Sequence, residues 1–344
     1  LTVSDLSWSS DGRYLAIPAG DTGYGTGEPG RLAIWDVAAD QAVTDKLDSD
    51  FNLLWFEVDY SPDDRLILAK GLSSWPEGLP DLETIHALDA QTGQEVRSFT
   101  VTDGSWIRSC GWSPDGKQVG GGTAAGVLYL WDFQTGELLN TLVGHKAGAM
   151  IDALEWSPDG TKIATACDDG TARVWDAATG ETLLVLAHEA PTAVWSAVWS
   201  PDGSRLLTTG GCDDFGAEDN SIRVWDADTG QELMVLRGHA SQVTLGTWSP
   251  NGRRIASSSS DGTTRIWDTE TGKELLSLST PAFYCPYARW SPDGRYLAVA
   301  MEATPTEIWR VWQSTEELVE YTKACCAFRD LTASEREQFG LPPR

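Results

Sequence analysis

One stretch of the sequence, residues 144–176, recurs in part six more times along the chain, and no other feature constrains the fold as strongly. The stretch contains a Gly-His pair, an apolar segment ending in WSPDG, a second segment ending in Asp-Gly and a third ending in Trp-Asp. Units this small cannot bury an apolar face alone, so they pack against one another and share a core. The turn motif occurs, with small variations, at Trp8, Tyr60, Trp112, Trp156, Trp199, Trp248 and Trp290.

Each turn motif predicts two antiparallel strands joined by a tight turn. Proline presets φ at the second turn position, and Asp or Asn followed by Gly suits the next positions. The flanking segments, such as RYLAI and KIATA, are apolar and β-branched. A third strand follows in each unit, and most units continue into a fourth, so the chain predicts an all-β, seven-bladed propeller over residues 1–315. The third strands end at Trp35, Leu88, Trp131, Trp175, Trp225, Trp267 and Trp312.

The Gly-His, Asp-Gly and Trp-Asp signatures at this spacing resemble the WD-repeat (Trp-Asp) family of β-propellers. The resemblance implies a buried hydrogen-bond network of His, Asp, Ser or Thr, and Trp in each well-formed unit. A His beside an Asp and a hydroxyl also has the composition of a catalytic triad, but a set that occurs three times indicates a structural role. By position, the three networks are His145, Asp169, Thr165 and Trp175; His188, Asp219, Thr208 and Trp225; and His239, Asp261, Ser257 and Trp267.

Other units depart from this pattern. Leu88 replaces the Trp of the second unit, Ala125 occupies the Asp position of the third, and no Gly-His pair precedes the second, third or seventh. Their sheets can form without the polar network, and we expect these blades to be the less rigid part of the ring.

Additional residues lie between the second and third strands of four units, at 21–30, 72–81, 212–219 and 302–306. In an up-and-down meander, these loops share one end of the blade with the connections between units. All four insertions therefore decorate one side of the propeller, which we call the insertion-bearing face. Function commonly lies in variable loops on a rigid scaffold.

Aromatic and apolar residues collect on the insertion-bearing face. Two of the insertions contain aromatics that we expect to be exposed, Trp75 and Phe215. From the second unit on, the position six residues before the turn aromatic lies near the same rim and carries few charges; it is Ala193 in the fifth unit. Aromatics and Met are enriched at interface cores, so these residues predict a surface for a protein or peptide partner. The alternative, that they pack between blades or cover loops, stays open. The candidate partner-binding residues are Leu54, Trp75, Trp106, Met150, Phe215, Gln242 and Tyr284.

The net charge of −26 argues against nucleic acid and membrane partners. Sequence-independent binding to phosphates and to anionic lipid surfaces relies on Lys and Arg. No apolar run reaches the length of a membrane span, and no signal peptide is visible. The six Cys lack a C-x-x-C pair and suit reduced thiols, which predicts a cytoplasmic location.

Motifs for catalysis, cofactors or metals are weak or missing. Residues 25–30 match G-x-G-x-x-G, but Pro29 and a following strand exclude the helix that a dinucleotide site requires. The acidic loop 212–219 offers oxygen atoms to Ca²⁺ but lacks EF-hand spacing, so a solvated loop is favoured. We therefore predict no enzyme, no cofactor and no metal. A recurring Arg two residues before the third-strand Trp indicates packing between blades; these are Arg173, Arg223, Arg265 and Arg310.

After Trp312 the pattern becomes helical, which predicts a short helical tail over residues 316–344. The seventh blade then lacks a clear fourth strand. We expect that strand to lie upstream of Leu1 in a longer parent chain, or the tail to substitute for it. A complete four-stranded seventh blade built from residues 290–320 would contradict this expectation.

The tail also resembles the segment that ends WD-repeat domains of bacterial multidomain signalling proteins such as STAND-type NTPases. This resemblance implies a sensor or autoinhibitory module of a signalling or defence protein, with ATPase and effector domains upstream. Two other hypotheses remain: a free-standing scaffold for complex assembly, and an enzyme with its site in the axial channel. The last requires a cluster of titratable groups or a metal at the channel mouth.

Overall fold

The computed structural model describes residues 6–19, 31–44, 53–73, 84–101, 104–188, 192–211, 219–279, 287–300 and 306–311. Two compact units divide the chain, Leu1–Trp309 and Arg310–Arg344. The insertion at 21–30 lies outside the described residues, as do most residues of the other three insertions. The expected helical tail at 316–344 also lies outside them.

Regular structure in the described residues is entirely β. The strands of blades 1 to 3 are β1 (Ser7–Trp8), β2 (Tyr14–Ala19), β3 (Arg31–Asp36) and β4 (Gln41–Thr44); β5 (Leu53–Tyr60), β6 (Leu66–Ser73), β7 (Thr84–Asp89) and β8 (Glu95–Thr100); and β9 (Ile107–Trp112), β10 (Gln118–Thr123), β11 (Val127–Asp132) and β12 (Leu138–Val143). The strands of blades 4 to 7 are β13 (Ile151–Trp156), β14 (Lys162–Cys167), β15 (Thr171–Asp176) and β16 (Thr182–Ala187); β17 (Val194–Trp199), β18 (Arg205–Gly210), β19 (Ile222–Asp226) and β20 (Glu232–Leu236); β21 (Val243–Trp248), β22 (Arg254–Ser259), β23 (Thr263–Asp268) and β24 (Glu274–Ser279); and β25 (Tyr287–Trp290), β26 (Tyr296–Ala300) and β27 (Glu307–Arg310).

Each blade is a sheet of consecutive strands, four in blades 1 to 6 and three in the described part of blade 7. This arrangement confirms the predicted seven-bladed propeller. In blade 7 the third strand ends at Arg310 rather than at Trp312, and the residues after 311 that could supply a fourth strand are outside the described part.

The seven turn motifs share one hydrogen-bond pattern. In blade 4, Ser157 Oγ donates to Asp159 Oδ1 at 2.6 Å and accepts from the N–H of Lys162 at 2.9 Å. Gly160 adopts a φ of 71°, which an L side chain rarely tolerates. The motif therefore fixes the turn by local chemistry alone, and these turns define the face opposite the insertions, which we call the turn face.

The turn tryptophans join neighbouring blades. Trp112 Nε1 donates to the Asp59 carbonyl at 3.3 Å, and Trp199 Nε1 donates to the Glu155 carbonyl at 3.2 Å. Trp8 makes the same bond from blade 1 to Arg289 O of blade 7, at 3.3 Å. The ring therefore closes at the seam between blades 7 and 1.

The hydrophobic core lies in the seams between blades rather than in one central cluster. Between blades 4 and 5, Val174 packs in the same buried group as Trp199 and Leu206. Between blades 7 and 1, Leu15 shares a group with Ala298. Fully burying a Leu or Val side chain contributes about 1.5–3 kcal/mol, so each seam is stabilised in the way a small domain core is.

Blade 3 replaces the polar network with close packing around three consecutive glycines of β10. A Cβ on Gly120 would lie 2.6 Å from the Trp156 ring, and a Cβ on Gly121 would lie 2.9 Å from the Trp131 ring. Phe133 adds an edge-to-face contact with Trp112, at 4.8 Å between ring centroids. Indole rings therefore occupy the space that side chains at Gly120 and Gly121 would fill, and Ser109 and Ile151 occupy it at Gly122.

Candidate functional site

Blade 4 holds four polar side chains in a buried relay. Trp175 Nε1 donates to Thr165 Oγ1 at 2.8 Å, and the same hydroxyl lies 2.8 Å from His145 Nε2. His145 Nδ1 lies 3.0 Å from Asp169 Oδ2, which also accepts from the N–H of Lys146 at 2.9 Å. Because the indole can only donate and the carboxylate only accept, the relay runs from Trp through Thr and His to Asp.

The same relay occurs in blades 5 and 6. In blade 5, His188 lies 2.9 Å from both Asp219 and Thr208, and Trp225 donates to Thr208 at 2.8 Å. In blade 6, His239 lies 3.0 Å from Asp261 and 2.8 Å from Ser257, which accepts from Trp267 at 2.8 Å. The structure thus brings together all twelve residues of the three sets.

In blade 6, the electrostatics of the relay favour a neutral histidine. Burial would raise the pKa of Asp261, but hydrogen bonds from Thr263, the Ala240 N–H and His239 outweigh it and hold that pKa at about 2. Burial lowers the pKa of His239 despite the neighbouring carboxylate. Both ring nitrogens are engaged, so the relay offers no free base to a substrate.

One metal-like cluster in the described residues overlaps the blade 4 relay. Ligand atoms of His145, Cys167 and Asp169 all lie within 4.8 Å of one another. His145 uses both nitrogens in the relay, and burial raises the pKa of the Cys167 thiol. A metal there would have to break the relay and deprotonate a buried thiol, so this cluster does not fit a metal site.

Two of the recurring arginines, Arg223 and Arg265, pair with acidic side chains of their own blades. Arg223 Nη1 lies 2.6 Å from Glu232 and its Nη2 lies 3.2 Å from Asp219. His86 takes the equivalent place in blade 2, with Nδ1 2.5 Å from Glu95 Oε2. In blade 4, Thr182 occupies the Glu232 position, and Arg173 Nε is buried with no described partner.

The insertion-bearing face presents two of the candidate partner-binding residues to solvent. Trp106 is 50% exposed and Met150 is 37% exposed, at the same position of neighbouring blades 3 and 4. Ala193 is buried, and Gln242 Nε2 donates to Ser260 Oγ at 3.2 Å. Leu54 lies in β5, but its side chain is outside the described part, as are Trp75, Phe215 and Tyr284.

The sequence reasoning missed a row of bulges beneath these residues. In blades 2 to 6 the first strand carries one extra residue four positions before the turn aromatic. Arg108 of blade 3 and Asp152 of blade 4 are two of them, and they form an ion pair at 3.0 Å. The spacing of the buried apolar residues could have revealed the bulge. Ile151, Leu154 and Trp156 are buried at spacings of three and then two, whereas a regular strand buries every second residue. The five bulge residues are Phe56, Arg108, Asp152, Trp195 and Thr244.

Residues at the bulges form a series of polar contacts that crosses blades 2, 3 and 4. Lys70 Nζ of blade 2 donates to the Arg108 carbonyl at 2.6 Å, and Arg108 continues the series to Asp152. Burial raises the pKa of Asp152, although Arg108 opposes the effect. Trp106 and Met150 therefore lie beside a charged row that is fixed by neighbouring blades.

The first strands also surround an axial cavity of about 450 Å³. Its walls include the titratable side chains Glu57, Asp59, Glu155 and Arg289. All three of these carboxylates accept N–H groups from the next blade: Glu57 from Cys110 at 3.0 Å, Asp59 from Trp112 at 3.2 Å and Glu155 from Trp199 at 3.2 Å. The cavity thus contains a cluster of titratable groups of the kind that the enzyme hypothesis requires. Each carboxylate of this cluster, however, accepts a backbone N–H from the first strand of the next blade, which is a structural role.

Seven antiparallel sheets, four-stranded in blades 1 to 6 and three-stranded in the described part of blade 7, define a β-propeller. Comparison with known families makes the class more specific. The family model for the WD domain, G-beta repeat, matches residues 93–132, 136–176, 180–226 and 230–268. A comparison with curated proteins finds no match. The four matched repeats and the seven-bladed architecture show that the chain belongs to the WD-repeat β-propellers.

WD-repeat propellers generally serve as protein–protein interaction modules and are typically non-catalytic. None of the described residues forms a helix with the length and apolarity that crossing a membrane requires.

Proposed function

We propose that this propeller is a non-catalytic module that binds a protein or peptide through its insertion-bearing face. The observation that carries the proposal is the pair of exposed apolar side chains, Trp106 and Met150, at equivalent positions of neighbouring blades. Aromatic and Met side chains are enriched at the cores of protein interfaces, where a few large side chains contribute most of the binding energy.

The rigid support beneath the pair favours recognition rather than accidental exposure. Trp106 O accepts from the N–H of Ala124 at 2.7 Å, and Met150 N donates to Asp168 Oδ1 at 2.7 Å. Because the backbone is already fixed, little conformational entropy is lost when a partner covers these side chains. The proposal also includes Leu54, Trp75, Phe215, Gln242 and Tyr284 in this surface, on the basis of their sequence positions.

We further propose that the propeller acts as the sensor or autoinhibitory part of a larger bacterial signalling or defence protein in the cytoplasm, with covalently linked domains upstream. The propeller over residues 1–315 and the helical tail over 316–344 are parts of this proposal. Its support is the resemblance of the tail to the ends of such proteins. A free-standing scaffold would use the same surface, so the upstream reading frame distinguishes the two.

Partner capture with matched variants tests the proposed surface. We expect Trp106→Ala and Met150→Ala to reduce recovery of any partner that wild type retains, at least tenfold for Trp106→Ala. Leu139→Ala, in the outer strand of blade 3 and 52% exposed, should leave recovery unchanged. Equal recovery by all three variants would remove the insertion-bearing face as the binding surface.

A further inference from the structure

The axial cavity extends to the turn face, and its described lining includes neither Trp106 nor Met150. Its lining includes Pro62, Pro114 and Pro250 from three of the turns, together with the indole rings of turn tryptophans such as Trp156 and Trp248. A volume of about 450 Å³ is within the range of protein ligand pockets. The turn-face mouth is therefore a pocket with aromatic walls, distinct from Trp106 and Met150.

The pocket has an excess of negative charge at its walls. Glu57, Asp59 and Glu155 line it, and Arg289 is the only basic residue among its described lining residues. Glu155 Oε2 accepts the N–H of Trp199, and among the described residues its other oxygen, Oε1, has no hydrogen-bond partner. Hence one carboxylate oxygen in the pocket remains available to a donor.

The charge on Glu155 is incompletely compensated. Burial raises its pKa to about 7, Arg289 and the Trp199 N–H act in the opposite direction, and Asp59 adds to the increase. Titratable groups whose pKa is shifted strongly by burial in a cleft are more common at functional sites than elsewhere. A cation placed between Asp59 and Glu155 would remove both the desolvation penalty and the repulsion.

We propose that the turn-face mouth of the axial cavity binds a basic side chain, Arg or Lys, of a partner peptide. Its cationic head would pair with Glu155 Oε1 and with Asp59, while its aliphatic stem packs against the indole rings of the wall. The net charge of −26 attracts a basic segment over a longer range. This site is independent of the insertion-bearing face, so either proposal can fail without the other.

Calorimetric titration of the full chain with a capped peptide, acetyl-Gly-Gly-Arg-Gly-Gly-amide, tests the site at pH 8 and low salt. We expect saturable binding to wild type, at least tenfold weaker binding to Glu155→Gln and to Asp59→Asn, and unchanged binding to Glu181→Gln. Glu181 is an exposed acid beside the turn of the same blade, so its substitution removes the same charge outside the pocket.

Three results would overturn the proposal. The first is that a matched peptide with Gln in place of Arg binds wild type as tightly as the Arg peptide does. The second is binding that both pocket substitutions leave unchanged. The third is binding of agmatine, which carries the guanidinium without a peptide, as tightly as the Arg peptide, because this would assign the pocket to a small amine. Both pocket substitutions keep an amide oxygen that can accept the neighbouring N–H, so loss of binding can be separated from unfolding by a melting curve.

Discussion

Glutamine in place of Glu155 removes a carboxylate that the axial cavity holds in an unfavourable position, while the amide oxygen can still accept the Trp199 N–H. The cavity raises the pKa of Glu155 mainly by desolvation, so the ionised form destabilises the folded state relative to the unfolded chain. Glu155→Gln should therefore stabilise the propeller at any pH where the wild-type carboxyl is ionised.

The magnitude follows from the two pKa values of the carboxyl. In the unfolded chain it ionises near its ordinary value of 4.5, and in the folded protein near 7. Since a tenfold change in an equilibrium constant corresponds to about 1.4 kcal/mol, the full difference amounts to about 3 kcal/mol. A raised carboxyl pKa favours folding most below 4.5, and this advantage is lost as the pH rises through 7. The gain from Glu155→Gln should grow from near zero at pH 4 to about 3 kcal/mol above pH 8.

Urea denaturation of wild type and Glu155→Gln at pH 4.5, 6 and 8.5 measures this difference directly. Glu181→Gln serves as the control, because it removes one negative charge from an exposed position and corrects for the general effect of net charge. A gain that is independent of pH, or a loss of stability at pH 8.5, would refute the reasoning.

Three further substitutions test the packing of the blades, each by chemical or thermal denaturation. Thr165→Val leaves Trp175 Nε1 and His145 Nε2 of the blade 4 relay without their partner, which should lower the free energy of unfolding by about 1–3 kcal/mol for each group. Thr165→Ser keeps the hydroxyl and should lower it less; equal losses for the two variants would contradict the relay. Thr182→Glu supplies an acidic partner to Arg173 and should raise stability by about 0.5 kcal/mol, an increase that 1 M salt should remove. Gly120→Ala brings a methyl group against the Trp156 ring and should destabilise the protein by about 1–3 kcal/mol; a neutral result would show that the seam is loosely packed.

The turns and the blade count were accessible from the sequence because their chemistry is local. Ser, Pro, Asp and Gly at fixed offsets determine one turn, and Ser157 bonds Asp159 without help from other blades. A turn repeated seven times gives seven blades. The polar relay was also accessible, since residues such as His145 and Thr165 stand at offsets that the resemblance supplied.

The glycines of β10 show where local reasoning is insufficient. Three consecutive glycines normally weaken a strand, because they lose the most backbone entropy and bring no side chain to the packing. In this propeller, indole rings from Trp131 and from the next blade's Trp156 occupy the space instead. Only the arrangement of neighbouring blades explains why this segment is a strand.

The candidate site was less predictable than the fold. The same register position was considered in blades 2 to 7, yet Trp106 is exposed, Ala193 is buried and Gln242 is bonded to its own blade. Exposure at that position depends on the surrounding loops, which differ between blades. The acidic character of the axial cavity was missed because Asp59 and Glu155 line one cavity only after the first strands close into a ring.

Site-specific photocrosslinking tests the proposed binding surface most directly. A photoreactive phenylalanine analogue would replace Trp106 or Met150 in the full-length protein, and Leu139 on the outer strand of the same propeller would carry the control probe. We predict that positions 106 and 150 form covalent adducts with a protein or peptide partner and that position 139 does not. Adducts from position 139 in equal or greater yield would contradict a binding site on the insertion-bearing face.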